Sequence, residues 1–245
     1  MTHPFEVSGE LTVHATPEQV WEAFESGTAM DGWWMGENEL EPRLGGALRT
    51  KLPGFTMDST ITTWEPAHRF ATTSPEAPDG RLMTFAFEIE GRSGGTTTLR
   101  FVHSGFLPGD DWEQEYEALK IGDPAYVAKL VEYIEHFRGR TAVPISLWGP
   151  QVSSERARSA FTTALGVSTQ PVLGDPAHFR ADGLPDLDGE IDYVSHDFIG
   201  LRTADGMYRF IHGMGTVAIG HHIFQPVDRA ATERAWQAWI DRTFA

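Results

Sequence analysis

The 245-residue chain carries 35 acidic against 19 basic residues, a formal charge of −16 at pH 7, has no cysteine, and is 40% hydrophobic with 11% aromatics. The missing cysteine excludes disulfides, thiolate zinc sites, iron–sulfur clusters and cysteine nucleophiles. The acidic surplus survives protonation of all ten histidines and no Lys/Arg run interrupts it, so neither nucleic acid nor a membrane surface is an expected partner.

The length suits one large domain or two of ordinary size. Gly and Pro, scattered rather than clustered, point to many turns and short strands. Met1–Glu6 lacks the basic-then-apolar order of a secretory signal, and no apolar run approaches the roughly 20 residues of a membrane span. A soluble cytoplasmic protein is expected.

Glu6–His14 alternates as a strand, with Val7, Leu11 and Val13 against Glu10, Thr12 and His14. Thr16-Pro17-Glu18-Gln19 then marks a helix start: Thr16 can cap, Pro17 suits the first helical position and Gln19 completes a capping box. The pattern predicts that this helix ends near Ser26-Gly27. Strands are predicted at 48–52, 59–64, 70–74, 81–89 and 96–103, with hairpin turns at Pro78-Asp79-Gly80 and Gly91–Gly95. In the last two, Met83, Phe85, Phe87 and Ile89, and then Leu99, Phe101 and His103, form an apolar face, so the sheet has one buried side. Val127, Leu130, Val131, Ile134 and Phe137 fall at helical spacing and predict a long helix from Pro124 to Phe137, stopped by Gly139. The acidic run Asp110–Glu115 reads as a solvated segment ahead of it.

The element order then repeats. A strand is predicted at 145–148, a helix from Ser153-Ser154-Glu155 through Leu165, strands at 190–196, 198–203, 207–212 and 217–224, and a final helix capped by Asp228. Residues 18–24 lie over 155–161, and Thr60–Phe70 over Glu190–Gly200. A degenerate duplication follows, with a boundary near 139–150, domains at 1–140 and 141–245, and a loop at 166–189 in place of the second copy's early strands.

Residues Ala15–Phe24, Trp33-Trp34, Gly45-Gly46, Trp64–Arg69 and Leu99–Phe106 together resemble the Hsp90 ATPase activator homologues, a family within the START/Bet v 1-like (SRPBCC) superfamily. The resemblance implies an α+β helix-grip: a curved antiparallel sheet around a long C-terminal helix, with a cavity between, here in two degenerate copies. It fixes little chemistry, because one fold hosts many functions. No separate N-terminal chaperone-binding domain fits within residues 1–14, which weighs against a chaperone role.

An expected partner is a hydrophobic small molecule (a lipid, polyketide or enediyne), held by a subset of the aromatic residues. Trp33, Trp34 and Met35, consecutive after Gly32, cannot all face inward on a regular element and suit a pocket rim. Met83, Phe85, Phe87, Phe101, His103, Phe106 and Trp112 from the strands and the following turn, with Tyr126, Leu130 and Tyr133 from the helix, complete the candidate ligand-binding set. His103 is the candidate acid–base residue, its ordinary pKa of about 6.5 allowing proton transfer in either direction. His212, His221 and His222 do not make a metal site, since adjacent strand residues point to opposite faces. No metal or cofactor is expected, and no phosphate loop, nucleophile elbow or dinucleotide fingerprint occurs. Three functions are open: sequestration of the guest, in a special form as self-resistance to an enediyne; a polyketide aromatase/cyclase enzyme; and Hsp90 regulation. In the self-resistance form a glycine next to the aromatics, Gly32, Gly36 or Gly105, surrenders a Cα hydrogen to the bound diradical and the chain is cut there.

Overall fold

A computed structural model describes all 245 residues, which form two compact units, Met1–Thr141 and Ala142–Ala245.

In the first unit, β1 (Thr2–Val13) leads to Thr16, whose hydroxyl accepts from the Gln19 N–H while the Gln19 side-chain oxygen Oε1 accepts from the Thr16 N–H at 2.9 Å. This reciprocal cap opens α1 (Pro17–Trp21), which tightens into a 3-10 turn at Glu22–Phe24. The helix does not simply stop at Ser26. Its hydroxyl accepts from the Ala29 N–H at 3.1 Å and starts a second short helix, α2 (Gly27–Met30).

Six strands follow: β2 (Glu37–Leu40), β3 (Ala47–Leu52), β4 (Phe55–Glu65), β5 (Arg69–Thr73), β6 (Leu82–Gly91) and β7 (Thr97–Pro108). With β1 they make a seven-stranded antiparallel sheet in the order β1-β7-β6-β5-β4-β3-β2. The short edge strand β2 escapes prediction because Glu-Asn-Glu-Leu has no apolar alternation. It is tied down by buried Asn38, whose N–H donates to Asp31 at 2.7 Å and whose side-chain oxygen accepts from Thr50 at 2.7 Å.

The long helix corrects the expectation drawn from Pro124. Helix α3 runs Trp112–Glu132 and continues as a π-helical turn at Tyr133–Phe137, with Pro124 inside it. Of the acidic run, Asp110 and Asp111 precede the helix and 112–115 open it, with Asp110, Asp111 and Glu113 exposed as expected. Proline in a helix interior has no N–H to offer the carbonyl four residues back, here that of Lys120, so the helix tolerates one missing bond.

The second unit begins with β8 (Val143–Gln151) and α4 (Ser154–Leu165), capped by Ser153 and ended by Gly166 in the left-handed conformation, φ 64°. Next come β9 (Pro176–Phe179), β10 (Leu187–Val194), β11 (Phe198–Thr203), β12 (Gly206–Gly213) and β13 (Thr216–Ile223), then α5 (Arg229–Phe244), whose first turn is capped by Asp228. Their sheet order is β8-β13-β12-β11-β10-β9. The span 166–189, expected to be all loop, holds β9, where Ala177 and Phe179 alternate inward, fully buried.

The two sheet orders superpose element by element, β1 on β8 through β3 on β9, leaving β2 without a counterpart. The strand pairs also share an irregularity. The β4–β5 ladder slips between Ile61 and Thr63, and the β10–β11 ladder slips between Ile191 and Tyr193, the position aligned by sequence. Bulges persist as built-in features of a fold, so the shared slip supports descent of both copies from one ancestor.

Both units are α+β helix-grips, but they are filled differently. In the second, Trp236 and Trp239 of α5 meet Phe161, Phe179 and Phe210 in one aromatic core. A hollow of about 330 Å³ lies between the start of α5 and the chain at Leu184. In the first unit, Phe24, Trp33, Phe70 and Phe87 form a solid centre, and the space beside it stays open.

Candidate functional site

That space is a cavity of about 480 Å³ between the sheet and α3, within the range of sites for drug-sized ligands. Helix α3 presents Ala118, Leu119, Gly122, Asp123 and Tyr126 to it, residues three or four apart on one helical face. The sheet contributes Leu48 and Thr50 from β3, Met57 from β4, Thr72 from β5, Met83 and Phe85 from β6, and His103 from β7; Trp34 and Met35 close one side. A Cβ built on Gly122 would meet nothing within 4 Å. This part of the cavity is empty because the helix carries no side chain there.

One buried polar pair stands out in the wall. His103 and Asp123 are 2% and 6% exposed, and His103 Nδ1 lies 2.8 Å from Asp123 Oδ2. The His103 ring is stacked on Phe85 at 3.8 Å and meets the edge of Phe5 at 5.0 Å. In the tautomer whose Nδ1–H donates to this carboxylate, the ring's lone pair lies on Nε2. That atom is buried and has no hydrogen-bond partner. Burial pushes the neighbouring Tyr126 phenol up to about 12, so it is a neutral hydroxyl at physiological pH. The buried Lys129 ammonium sits 4.3 Å from the Tyr126 ring centre. At the rim, Arg81 donates to the Glu115 carboxylate, joining the residue before β6 to the first turn of α3.

Of the predicted ligand-binding residues, the cavity brings together Trp34, Met35, Met83, Phe85, His103 and Tyr126. The others lie elsewhere. Trp33, Phe87, Phe101, Leu130 and Tyr133 are core residues, each at most 2% exposed, and the Trp33 indole donates to the Ala23 carbonyl at 2.9 Å. Phe106 is 45% exposed because strand alternation that turns His103 and Leu107 inward turns it outward. Trp112 stacks on His3 at 4.8 Å, outside the cavity.

The candidate glycines Gly32, Gly36 and Gly105 do not line the cavity. A Cβ at Gly32 would strike the Tyr133 ring at 2.3 Å, one at Gly36 the Lys51 carbonyl at 2.2 Å, and one at Gly105 the Leu82 carbonyl at 1.9 Å. Close packing accounts for all three. His221, Nδ1 accepting from the Arg209 N–H at 3.1 Å, lies against Trp236 in the second unit's core, and His212 contacts the Val152 carbonyl at 2.9 Å.

A helix start at Pro124 puts Asp123 and Gly122 outside any predicted element, so sequence alone does not place either at the site. The spacing of Ala118, Gly122 and Tyr126 was the available signal.

An antiparallel sheet gripping a long C-terminal helix over an apolar cavity defines a helix-grip domain. The family model described as Activator of Hsp90 ATPase homolog 1-like protein matches residues 14–135, within the first unit. Similar solved structures include protein MLL2253 from Mesorhizobium loti, 23% identical, covering 54% of this chain and 98% of its own, with a TM-score of 0.48. The Aha1 dimer from Colwellia psychrerythraea is 17% identical over 55% of this chain and 99% of its own, TM-score 0.46. The di-domain ARO/CYC BexL from the BE-7585A biosynthetic pathway is 14% identical and spans both units, 98% of this chain and 94% of its own, TM-score 0.48. No curated protein matches the chain by sequence. No helix is long and apolar enough to cross a membrane.

Proposed function

We propose that the first unit binds a hydrophobic small molecule in the cavity between its sheet and α3. The observation that carries this reading is the open volume of about 480 Å³, walled by Trp34, Met35, Met83, Phe85 and Tyr126. Close-packed interiors leave few voids larger than a water molecule, and an apolar hollow of this size gains free energy by filling with an apolar guest. Where α5 of the second unit carries Trp236 and Trp239, the cavity face of α3 carries Ala118 and Gly122 beside Leu119 and Tyr126. Sequestration of a toxic apolar natural product would use the same space; in its chain-cutting form, Gly122 is the glycine that borders the guest.

The test is thermal unfolding with and without apolar aromatic probes. A probe at 100 times its dissociation constant is expected to stabilise the protein by about 2.7 kcal/mol. Gly122→Phe, which fills the hollow from the helix side, is expected to abolish that shift. If lipids, fused-ring aromatics and polyketides all leave the wild-type midpoint unmoved, the reading is wrong.

Gly122→Ala separates stability from binding. The new methyl meets no neighbour, and alanine exceeds glycine in a helix interior by about 0.8–1.0 kcal/mol. The variant is therefore expected to be more stable by about that amount in urea unfolding; a loss of stability would mean that the helix face is not open as described.

A further inference from the structure

We infer that the cavity selects apolar aromatic molecules bearing one weakly acidic hydroxyl, and that His103, positioned by Asp123, receives that hydroxyl's hydrogen bond. The inference rests on the cavity being a binding site, as proposed above.

The first support is an unmet acceptor. His103 is 2% exposed and lines the cavity, and its Nε2 has no partner. Buried polar atoms in native proteins are nearly always paired, and an unpaired one calls for an explanation. The Asp123 carboxylate lies 2.8 Å from Nδ1, and in the tautomer whose Nδ1–H donates to it Nε2 is the ring's acceptor. A guest that supplies a donor to this atom satisfies it, whereas a hydrocarbon guest leaves it unpaired.

The second support is charge. The carboxylate behind the ring is nine-tenths buried, and a guest carboxylate would bring a second negative charge into the same low-dielectric space. An ammonium placed at His103 would give up its hydration shell for a surface flanked by the Phe5 and Phe85 rings. A neutral hydroxyl brings one donor. A phenolic hydroxyl is the strongest neutral donor of this kind, and its flat ring matches walls made of Phe85, Trp34 and Tyr126 with adaptable Met35 and Met83. No covalent step or proton transfer is involved: the hydroxyl keeps its proton, donates a hydrogen bond to Nε2, and leaves the imidazole tautomer unchanged.

The test is a matched pair, 2-naphthol against 2-methylnaphthalene, nearly equal in shape and differing in the donor. Dissociation constants are measured on the full chain by ligand fluorescence. Wild-type protein is expected to prefer 2-naphthol by about ten- to a hundred-fold, the range for a hydrogen bond that spares a buried group from going unpaired. The ratio is expected to fall to near one in His103→Phe and to drop in Asp123→Asn, where the ring loses its anionic partner. A readout free of any variant is the imidazole ¹⁵N spectrum of wild-type protein: the His103 Nε2 resonance is expected to move with 2-naphthol and to stay in place with 2-methylnaphthalene. Equal binding of the two probes by wild type, or an unmoved Nε2 resonance at saturating 2-naphthol, overturns the hydroxyl preference and leaves the cavity reading standing. Binding of neither probe, together with the unmoved melting point described above, overturns both.

Discussion

Asp192→Ala is expected to destabilise the second unit by about 3–5 kcal/mol, the range for removing one partner of a buried ion pair. Asp192 sits at the β10 bulge and takes two hydrogen bonds from Arg209 on β12, from Nη1 at 3.0 Å and Nη2 at 2.7 Å. The two side chains are 1% and 3% exposed. The pair spans the intervening strand β11 over Gly200, where a Cβ would lie 2.3 Å from Asp192 Oδ1 and 2.8 Å from Arg209 Nη1. Truncating the aspartate thus leaves a guanidinium shut away from water beneath a sheet that cannot rearrange to hydrate it. Hydrogen exchange of the β10–β12 amides measures the loss; a change below about 1 kcal/mol would show that water reaches Arg209. Replacing both partners by apolar residues of similar size is expected to cost far less than the single truncation, because no charge is left stranded. That contrast separates the ion pair from ordinary packing.

Phe24→Ala is expected to cost the first unit about 3–5 kcal/mol. Phe24 is fully buried and closes the short helical segment onto the sheet, its ring 5.5 Å from Trp33 and 5.1 Å from both Phe70 and Phe87. Those neighbours are large and rigid and are anchored from several sides, so the hole cannot collapse. Urea unfolding checks the value. A cost near 1 kcal/mol would mean that the aromatic centre is loosely packed and that the adjoining cavity has no firm wall.

Much of this architecture was legible from local chemistry. The Thr16–Gln19 cap, the alternation in β6 and β7, and the Asp228 cap each act within a few residues, and the structure places the corresponding elements where those signals fall. Sequence reading failed where a residue's usual role gave way to tertiary packing. Pro124 ordinarily opens a helix, yet here it lies within one whose neighbours hold it together. β2 owes its place to pairing with β3 and to the buried Asn38–Thr50 contact rather than to apolar alternation. The site was half visible for the same reason: Phe85 and His103 follow from strand parity, whereas the His103–Asp123 contact joins β7 to α3 and has no local signature.

Gly122 and Pro124 also have a mechanical consequence. They bring the two residue types least suited to a helix within one turn of each other, next to the hollow. Long helices bend most readily where a backbone bond is missing, so α3 yields at least cost beside the hollow. Gly122 keeps the space empty and Pro124, two residues on, leaves the same wall a backbone bond short.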